Sequence, residues 1–400
     1  MKIYIFVMSL ILVCSANIKA QDNTGNTQSS LEKTLAEISK NNKTILANVQ
    51  YWEVKKLEYK TGLTPYNPKV DYDYLSGSPA GAGNQTDFVI TQAFDFPTSY
   101  AKKKKLSNEQ IKQAEFQLNA SRQDVLLEAK LICIELIYFN KFQDEVLKRK
   151  QNTEKWLSDF QAKLDKGDGN MLDVNKAKLQ LIEINASFQE NKSMIIQLNQ
   201  KLTELNGGNL IVFADSGYPQ LPLMTSFETL ESEIETNDPV KKYLEQQNVI
   251  GRSQLDVSKA MTLPKLDVGY HYQAILGQSY NGVHVGFTLP LWENRNKVKA
   301  EQANTVFNEL NLSVHKNEHY YDTQQKYIKQ SNLSITVTEY SNLFNSSNNV
   351  DLLNKSLALG QISTIQYFME MSYYYEALKN YLVSEKEYHK TIAELYKYQL

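Results

Sequence analysis

Residues 283–303 read VHVGFTLPLWENRNKVKAEQA. In the first seven residues, apolar side chains alternate with small or polar ones, which predicts a β-strand with one apolar face. Three residues after Pro290 the sequence becomes polar and helical in composition, and no further proline occurs up to Leu400. This stretch therefore predicts a strand that leads directly into a very long helix.

The prolines leave two long windows free of proline, residues 98–218 and 291–400. Because proline interrupts helix interiors, and because both windows are rich in Leu, Lys, Glu, Gln, Asn and Ala, we predict long helices in each. The windows also resemble each other: LDKGDGNMLDV begins at residue 164 and LALGQISTIQY at residue 357, an offset of 193 positions. The same offset relates the strand-to-helix passages upstream, which indicates an internal duplication.

Each repeat is predicted to contain two strands, a long helix, a turn with glycine and a shorter returning helix. The predicted organisation is a signal peptide at 1–20; a first N-terminal helix and repeat 1 at 21–206, with strands at about 67–97 and helices at about 98–165 and 169–206; an irregular belt at 207–240; and repeat 2 at 241–400, with strands at about 264–290 and helices at about 293–358 and 362–400.

The N-terminus has a lysine, an apolar run and a small residue, Ala20, before Gln21, which predicts a secretory signal peptide. Cys14 follows Val13, whereas lipoprotein processing needs a small residue there, so we do not expect lipidation. No other stretch approaches 18 apolar residues, so no transmembrane helix is expected. The charge balance, 43 Lys+Arg against 45 Asp+Glu, argues against a nucleic-acid partner.

The four predicted strands each have one apolar and one polar face. Their apolar sets are Val70, Tyr72 and Tyr74; Phe88, Ile90, Phe94 and Phe96, interrupted by Gln92; Leu266, Val268, Tyr270, Tyr272 and Ala274; and Val283, Val285, Phe287 and Leu289. Such strands suit a transmembrane barrel or a half-buried soluble sheet. Four strands cannot close a barrel, and an open edge in hydrocarbon leaves backbone groups unpaired. A membrane location therefore requires several chains to share one barrel.

At this point the chain resembles the TolC family of outer membrane efflux proteins, over roughly Leu31–Leu400. The resemblance rests on the duplicated order of elements, on GFTLPLWENRNK (286–297) at the strand-to-helix passage and on LALGQISTIQYFMEMSYYYEALKNYL (357–382) at the turn and returning helix. It implies a mostly α fold with a small transmembrane β part. Three chains would form one trimeric 12-stranded β-barrel in the outer membrane, continued by an α-helical periplasmic tunnel.

The resemblance also implies a function without catalysis or cofactor: an exit duct of a tripartite efflux or type I secretion system. Its partners would be a periplasmic adaptor, an inner-membrane pump, with the RND type favoured, and outer membrane lipid. Pro97 and Pro290 would mark the transition from barrel to tunnel, and the turns at Gly167 and Gly360 would dock the adaptor.

The family carries an acidic ring on the returning helices, which narrows the closed tunnel. Asp173 in the first repeat matches such an aspartate, whereas the second repeat has Gln366 at the equivalent position and Met369 where a further acid is often found. Asp165 and Asp168, beside the first turn, are candidates to compensate. These residues form the candidate periplasmic gate.

Two other hypotheses concern histidines. HKNEH (315–319) fits the H-x-x-E-H pattern of inverted zinc proteases, but it has no evident third ligand and lies within a predicted long helix, so we interpret it as a solvated helix face. His271 and His284 lie on the polar faces of their strands, where a polar channel lining is favoured over metal contact.

An alternative function is an exported coiled-coil structural or adhesive protein, which accounts for the long helices but not for the strand pairs placed equivalently in both repeats. Lys102–Lys105 open the first long helix near the strands, where they would meet either anionic headgroups or solvent.

Overall fold

The computed structural model describes residues 29–346 and 348–400 of the chain. The predicted signal peptide and Cys14 lie outside these residues. The elements in chain order are α1 (Ser30–Asn41), α2 (Lys43–Glu58), β1 (Lys69–Ser76), β2 (Asn84–Phe94), α3 (Pro97–Asp165), α4 (Met171–Leu205), α5 (Phe227–Asn237), α6 (Pro239–Ala260), β3 (Lys265–Ile275), β4 (Gln278–Thr288), α7 (Arg295–Ser346), α8 (Asn349–Ala358) and α9 (Thr364–Leu395). The expected mostly α class with one small antiparallel sheet is confirmed.

The first long helix, α3, has 69 residues and begins with Pro97, where the missing backbone N–H costs no helical hydrogen bond. At 1.5 Å per residue it spans about 100 Å. It packs along α4, α6 and α9. Across residues 29–346 and 348–400, no helix combines the length and the apolar character needed to cross a membrane.

The sheet has the strand order β1-β2-β3-β4, with every neighbouring pair antiparallel. Opposed residues in such a ladder point to the same face. One row crosses all four strands, because Val70 pairs with Ile90, Ile90 with Tyr270 and Tyr270 with Val283. The pairing therefore gathers the apolar sets of the four strands on one face and leaves that face exposed.

The opposite face of the sheet is polar. Its members include Asp71, Asp73, Asp87, Asp267, His271, Gln273 and His284. The Nε2 atom of His271 lies 3.7 Å from Oδ1 of Asp87 across the β2–β3 pair. Within the described chain, β1 and β4 each pair on one side only, so the sheet ends in two open edges.

The buried side chains form three clusters along the helices. The first joins α1, the middle of α3 and the end of α4 around Ile38, Cys133, Leu136 and Leu202. The second joins the end of α3 and of α8 to the starts of α4 and α9 and contains Phe160, Val174, Ala177, Leu357, Tyr367, Phe368 and Met371. The third joins α5 to the end of α9 through Leu230, Ile234, Ile392 and Leu395.

The single helix predicted at about 293–358 is wrong, because the structure has two helices, α7 and α8. The sequence at 345–349 is NSSNN. Short polar side chains compete with the helical backbone for hydrogen bonds, which disfavours a helix interior. Asn348 is the N-cap residue of α8, and its Nδ2 donates to Oδ2 of Asp351 at 2.5 Å.

The belt at 207–240 is also more regular than predicted. It contains α5, and α6 starts within it at Pro239. Ser226 caps α5 by accepting from Thr229 N at 3.3 Å, and Asp238 caps α6 by accepting from two backbone N–H groups. Pro239 thus marks the first helical position, where proline is favoured, rather than irregular structure.

The first N-terminal helix is two helices, α1 and α2, separated at Asn42. The Oδ1 atom of Asn42 accepts from Ile45 N at 3.0 Å, and its Nδ2 donates to Leu205 O at 2.7 Å. The side chain therefore caps α2 and ties the break to the end of α4.

Candidate functional site

The two turns predicted to dock an adaptor lie together at one end of the folded molecule, which we call the tip. One turn connects α3 to α4 and the other connects α8 to α9. Phe160 and Val174 from the first side share a buried cluster with Leu357, Tyr367 and Phe368 from the second. The structure thus brings Gly167 and Gly360 to one packed end of the molecule.

The turns have the same backbone hydrogen bonds. Gly167 N donates to Leu164 O at 3.0 Å, and Gly360 N donates to Leu357 O at 3.0 Å. In each turn the next N–H reaches a carbonyl one residue earlier, at 3.0 Å and 2.9 Å respectively. Gly167 has φ +84° and Gly360 has φ +68°, a left-handed conformation that favours glycine.

Asp173 and Gln366 occupy equivalent positions, the third residue of α4 and of α9 respectively. Gln366 forms a capping box: its N–H donates to Ser363 Oγ at 3.2 Å, and its Oε1 accepts from Ser363 N at 3.0 Å. In the first repeat Asn170 caps α4 through Leu172 N at 2.9 Å. The Gln366 side chain therefore binds the start of its own helix, whereas the Asp173 carboxylate does not accept a hydrogen bond from the cap residue of α4.

The acids of the candidate gate separate into two groups. Asp168 and Asp173 line one cleft at the tip, together with Lys163, Asn170 and Thr364. Asp165 is exposed and accepts from Gln161 Nε2 at 2.9 Å along its own helix. The cleft combines two carboxylates with one lysine, so its lining is only weakly acidic.

A partly buried chain of hydrogen bonds at the tip has no counterpart in the sequence-based predictions. Trp156 Nε1 donates to the hydroxyl of Tyr367 at 3.0 Å, and that hydroxyl donates to Asn354 Oδ1 at 2.8 Å. Burial raises the pKa of Tyr367 to about 12, so the hydroxyl keeps its proton. The chain connects α3, α9 and α8, and the one signal for it in the sequence is a tyrosine at a buried position of a helix stripe.

The two prolines of the predicted transition follow β2 and β4 at the same end of the sheet, but they stand at different distances from the long helix that comes next. Pro97 is the first residue of α3, whereas α7 begins at Arg295, five residues after Pro290. Ser99 Oγ donates to Ala260 O at 3.3 Å, and Asn294 Nδ2 donates to Met261 O at 2.6 Å. The starts of both long helices are thus fixed against the end of α6.

The expected solvated face at HKNEH is wrong for the histidines. His315 Nε2 lies 2.9 Å from Oδ2 of the buried Asp238, and burial lowers the pKa of His319. A cavity between α6, α7 and the end of α9 is lined by both rings, because α7 packs this face onto α6. No three His, Cys, Asp or Glu side chains in residues 29–346 and 348–400 are placed to hold a metal ion.

Solved structures share this fold along nearly the whole chain. A membrane protein from Pseudomonas aeruginosa matches with a TM-score of 0.77 and 13% identity, covering 92% of this chain and 93% of that one. The outer membrane protein VceC from Vibrio cholerae has a TM-score of 0.73 and 12% identity, with 92% and 94% covered. The CmeC outer membrane channel of Campylobacter jejuni has a TM-score of 0.70 and 15% identity, with 92% and 85% covered.

No protein-family model and no curated protein matches the sequence. At these identities the similarity concerns the fold. The chain has the fold of TolC-type outer membrane channels, which confirms the structural resemblance seen in the sequence.

Proposed function

We propose that this chain is the outer membrane channel of a tripartite efflux or type I secretion system, and that it acts as a passive duct without catalysis. The observation that carries the proposal is the four-stranded sheet. Its apolar face is exposed, its opposite face is polar, and both its edges are open in the described chain. Three copies would join these edges into one 12-stranded barrel and satisfy every backbone group in the membrane.

Helix α7 supports assembly from several chains. Its side chains buried within the chain are polar, namely Asn308, Thr323 and Gln330. Six of its apolar side chains form a separate stripe that is 53–61% exposed: Phe307, Leu310, Val314, Tyr321, Ile328 and Ile335. These residues recur at spacings of three, four and seven, which is the pattern of a coiled-coil seam. We infer that this stripe packs on helices of a second copy in the trimer.

The tip supports a role in docking and gating. Its two turns are built alike and packed into one unit, which would present an adaptor with a repeated surface around the three-fold axis. The adaptor would connect the duct to an inner-membrane pump, with the RND type favoured. In the trimer, three copies of Asp173 would converge on the axis, where like charges repel and cations are held.

The proposal is tested with the full chain expressed with its N-terminal segment. We expect it in the outer membrane fraction, as an oligomer that dissociates to a monomer on heating in detergent. Purified oligomer should conduct ions across a planar bilayer. Secretion into the medium without conductance would overturn the proposal and support the alternative, an exported coiled-coil structural or adhesive protein.

The gate is tested separately by Asp173→Asn. Block of conductance by divalent cations from the tip side should weaken, because the variant removes three charges from one ring. Glu190→Gln is the matched control, since Glu190 is exposed on the same helix but far from its first turn. Unchanged block in Asp173→Asn would limit Asp173 to stabilising its helix end, an effect of about 0.3–1 kcal/mol.

A further inference from the structure

An exposed band of apolar and cationic side chains follows directly after the sheet. We call it the junction collar. Its apolar members are Phe96, Leu289, Leu291 and Trp292, and its cationic members are Lys104, Lys105, Arg295, Lys297 and Lys299. Trp292 is 82% exposed, an unusual state for so large an aromatic side chain unless something covers it.

The structure places the two halves of the collar side by side. Helix α6 lies between α3 and α7 and contacts both. Ser99 from the start of α3 and Asn294 from the residue before α7 bind adjacent carbonyls, Ala260 and Met261, at the end of α6. The cations at the starts of both long helices therefore lie near the same end of the sheet.

The described residues do not hold the collar cations in ion pairs, in contrast to the two lysines that precede them in α3. Lys102 pairs with Asp256 at 3.1 Å, and Lys103 pairs with the buried Asp95 at 2.7 Å, so these two lysines hold the helix start in place. By contrast, none of the five cationic members of the collar has a carboxylate within 4 Å among the described residues. Five cations without an ion pair in the described residues therefore belong to the same junction as an exposed indole and two exposed leucines, and Lys105 interacts only at longer range, with Glu109 on its own helix.

We infer that the junction collar binds anionic phospholipid headgroups in the membrane leaflet nearest the helices. This inference rests on the proposed function. Tryptophan is favoured at the boundary between acyl chains and headgroups, and leucine within the acyl region, while lysine and arginine reach the phosphates. Phe96 and Leu289 follow the apolar-face residues Phe94 and Phe287 by two positions, so lipid along that face also reaches the collar. A free phosphate would use the cations but leave the apolar members exposed.

The test titrates phospholipid into the full-length oligomer in neutral detergent and follows the temperature at which it dissociates. Phosphatidylglycerol should stabilise the oligomer at lower concentration than phosphatidylcholine, and added salt should reduce the difference. Arg295→Gln/Lys297→Gln/Lys299→Gln should raise the phosphatidylglycerol midpoint on the order of 100-fold, since each cation near an anionic surface contributes about fivefold.

The matched control removes three exposed lysines away from the sheet, Lys316→Gln/Lys355→Gln/Lys379→Gln, and should leave the midpoint unchanged. Trp292→Ala should weaken both lipids, which a purely ionic site would not do. Equal wild-type midpoints for the two lipids, or an unchanged midpoint in the collar variant, would overturn the inference. So would full stabilisation by inorganic phosphate alone, which identifies a free-anion site.

The proposed function fails in a different way. If the oligomer neither enters phosphatidylcholine bilayers nor conducts, the channel assignment is wrong. If it conducts there with no preference for phosphatidylglycerol, the channel assignment holds and the collar inference alone is wrong.

Discussion

Replacing Val283 with arginine is expected to destabilise the proposed barrel by about 2–4 kcal/mol per chain. Val283 is 79% exposed on the apolar face of the sheet and pairs with Tyr270. It is the middle residue of the 11-residue strand β4. At about 3.4 Å per residue and a tilt of about 40°, it lies roughly 13 Å from each strand end, which is near the bilayer midplane.

The cost should depend on depth and on the face of the sheet. Phe287 is on the same face as Val283 but about 10 Å closer to the strand end, so Phe287→Arg should cost only about 0–1 kcal/mol. His284 neighbours Val283 on the polar face, and His284→Arg should assemble normally and change the conductance instead. Two adjacent positions thus predict opposite outcomes for the same substitution.

The measurement is denaturant unfolding of the full chain in phosphatidylcholine bilayers, combined with conductance of the assembled oligomer. Equal losses in Val283→Arg and His284→Arg would mean that both faces meet the same environment and would contradict the barrel assignment. A loss in Phe287→Arg as large as that in Val283→Arg would refute the depth argument.

Three further predictions concern the helical part. Tyr367→Phe leaves Trp156 Nε1 without its acceptor and should cost about 1–3 kcal/mol by thermal unfolding, whereas Tyr373→Phe on the surface should cost almost nothing. Gly360→Ala forces a positive φ on a residue with Cβ and should cost about 1–2 kcal/mol in the same assay. Burial lowers the pKa of His389 to about 4, so the neutral ring stabilises the fold fully above pH 6.5 and this contribution, up to about 3 kcal/mol, is lost as the pH falls to 4. His389→Phe keeps a ring in that place and should flatten the dependence of the unfolding temperature on pH between 6.5 and 4; an unchanged slope would contradict the assignment.

Local sequence patterns predicted much of the fold. The alternation of apolar and polar residues predicted strands with one apolar face. The pairing in the order β1-β2-β3-β4 brings these apolar faces to one side of the sheet. The long helices were predicted from windows without proline. Proline and glycine disfavour a helix at their own position, so a long window without proline permits a long helix. The equivalence of Asp173 and Gln366 also came from the repeat alone, and both residues occupy the third position of their helices.

The errors arose where a local signal had two meanings. The proline-free window at 291–400 predicts continuous helix through NSSNN (345–349), although short polar side chains also interrupt helices. The predicted irregular belt at 207–240 includes Pro239, although proline is favoured at the first position of a helix, which Pro239 occupies in α6. In both cases the residue that caps the next helix, Asn348 before α8 and Asp238 before α6, decides where that helix begins.

Local contacts account for the type of most elements, for the duplication and for the two faces of each strand, because these features depend on residues a few positions apart. Which side chains meet across the chain depends on the tertiary packing. Trp156 and Tyr367 are 211 positions apart, and His315 and Asp238 are 77 apart, so no local pattern relates them. The exposure of one apolar stripe of α7 likewise depends on how this helix packs on α6 and α9. Periodicity shows that a helix has two faces, but only its neighbours decide which one is covered.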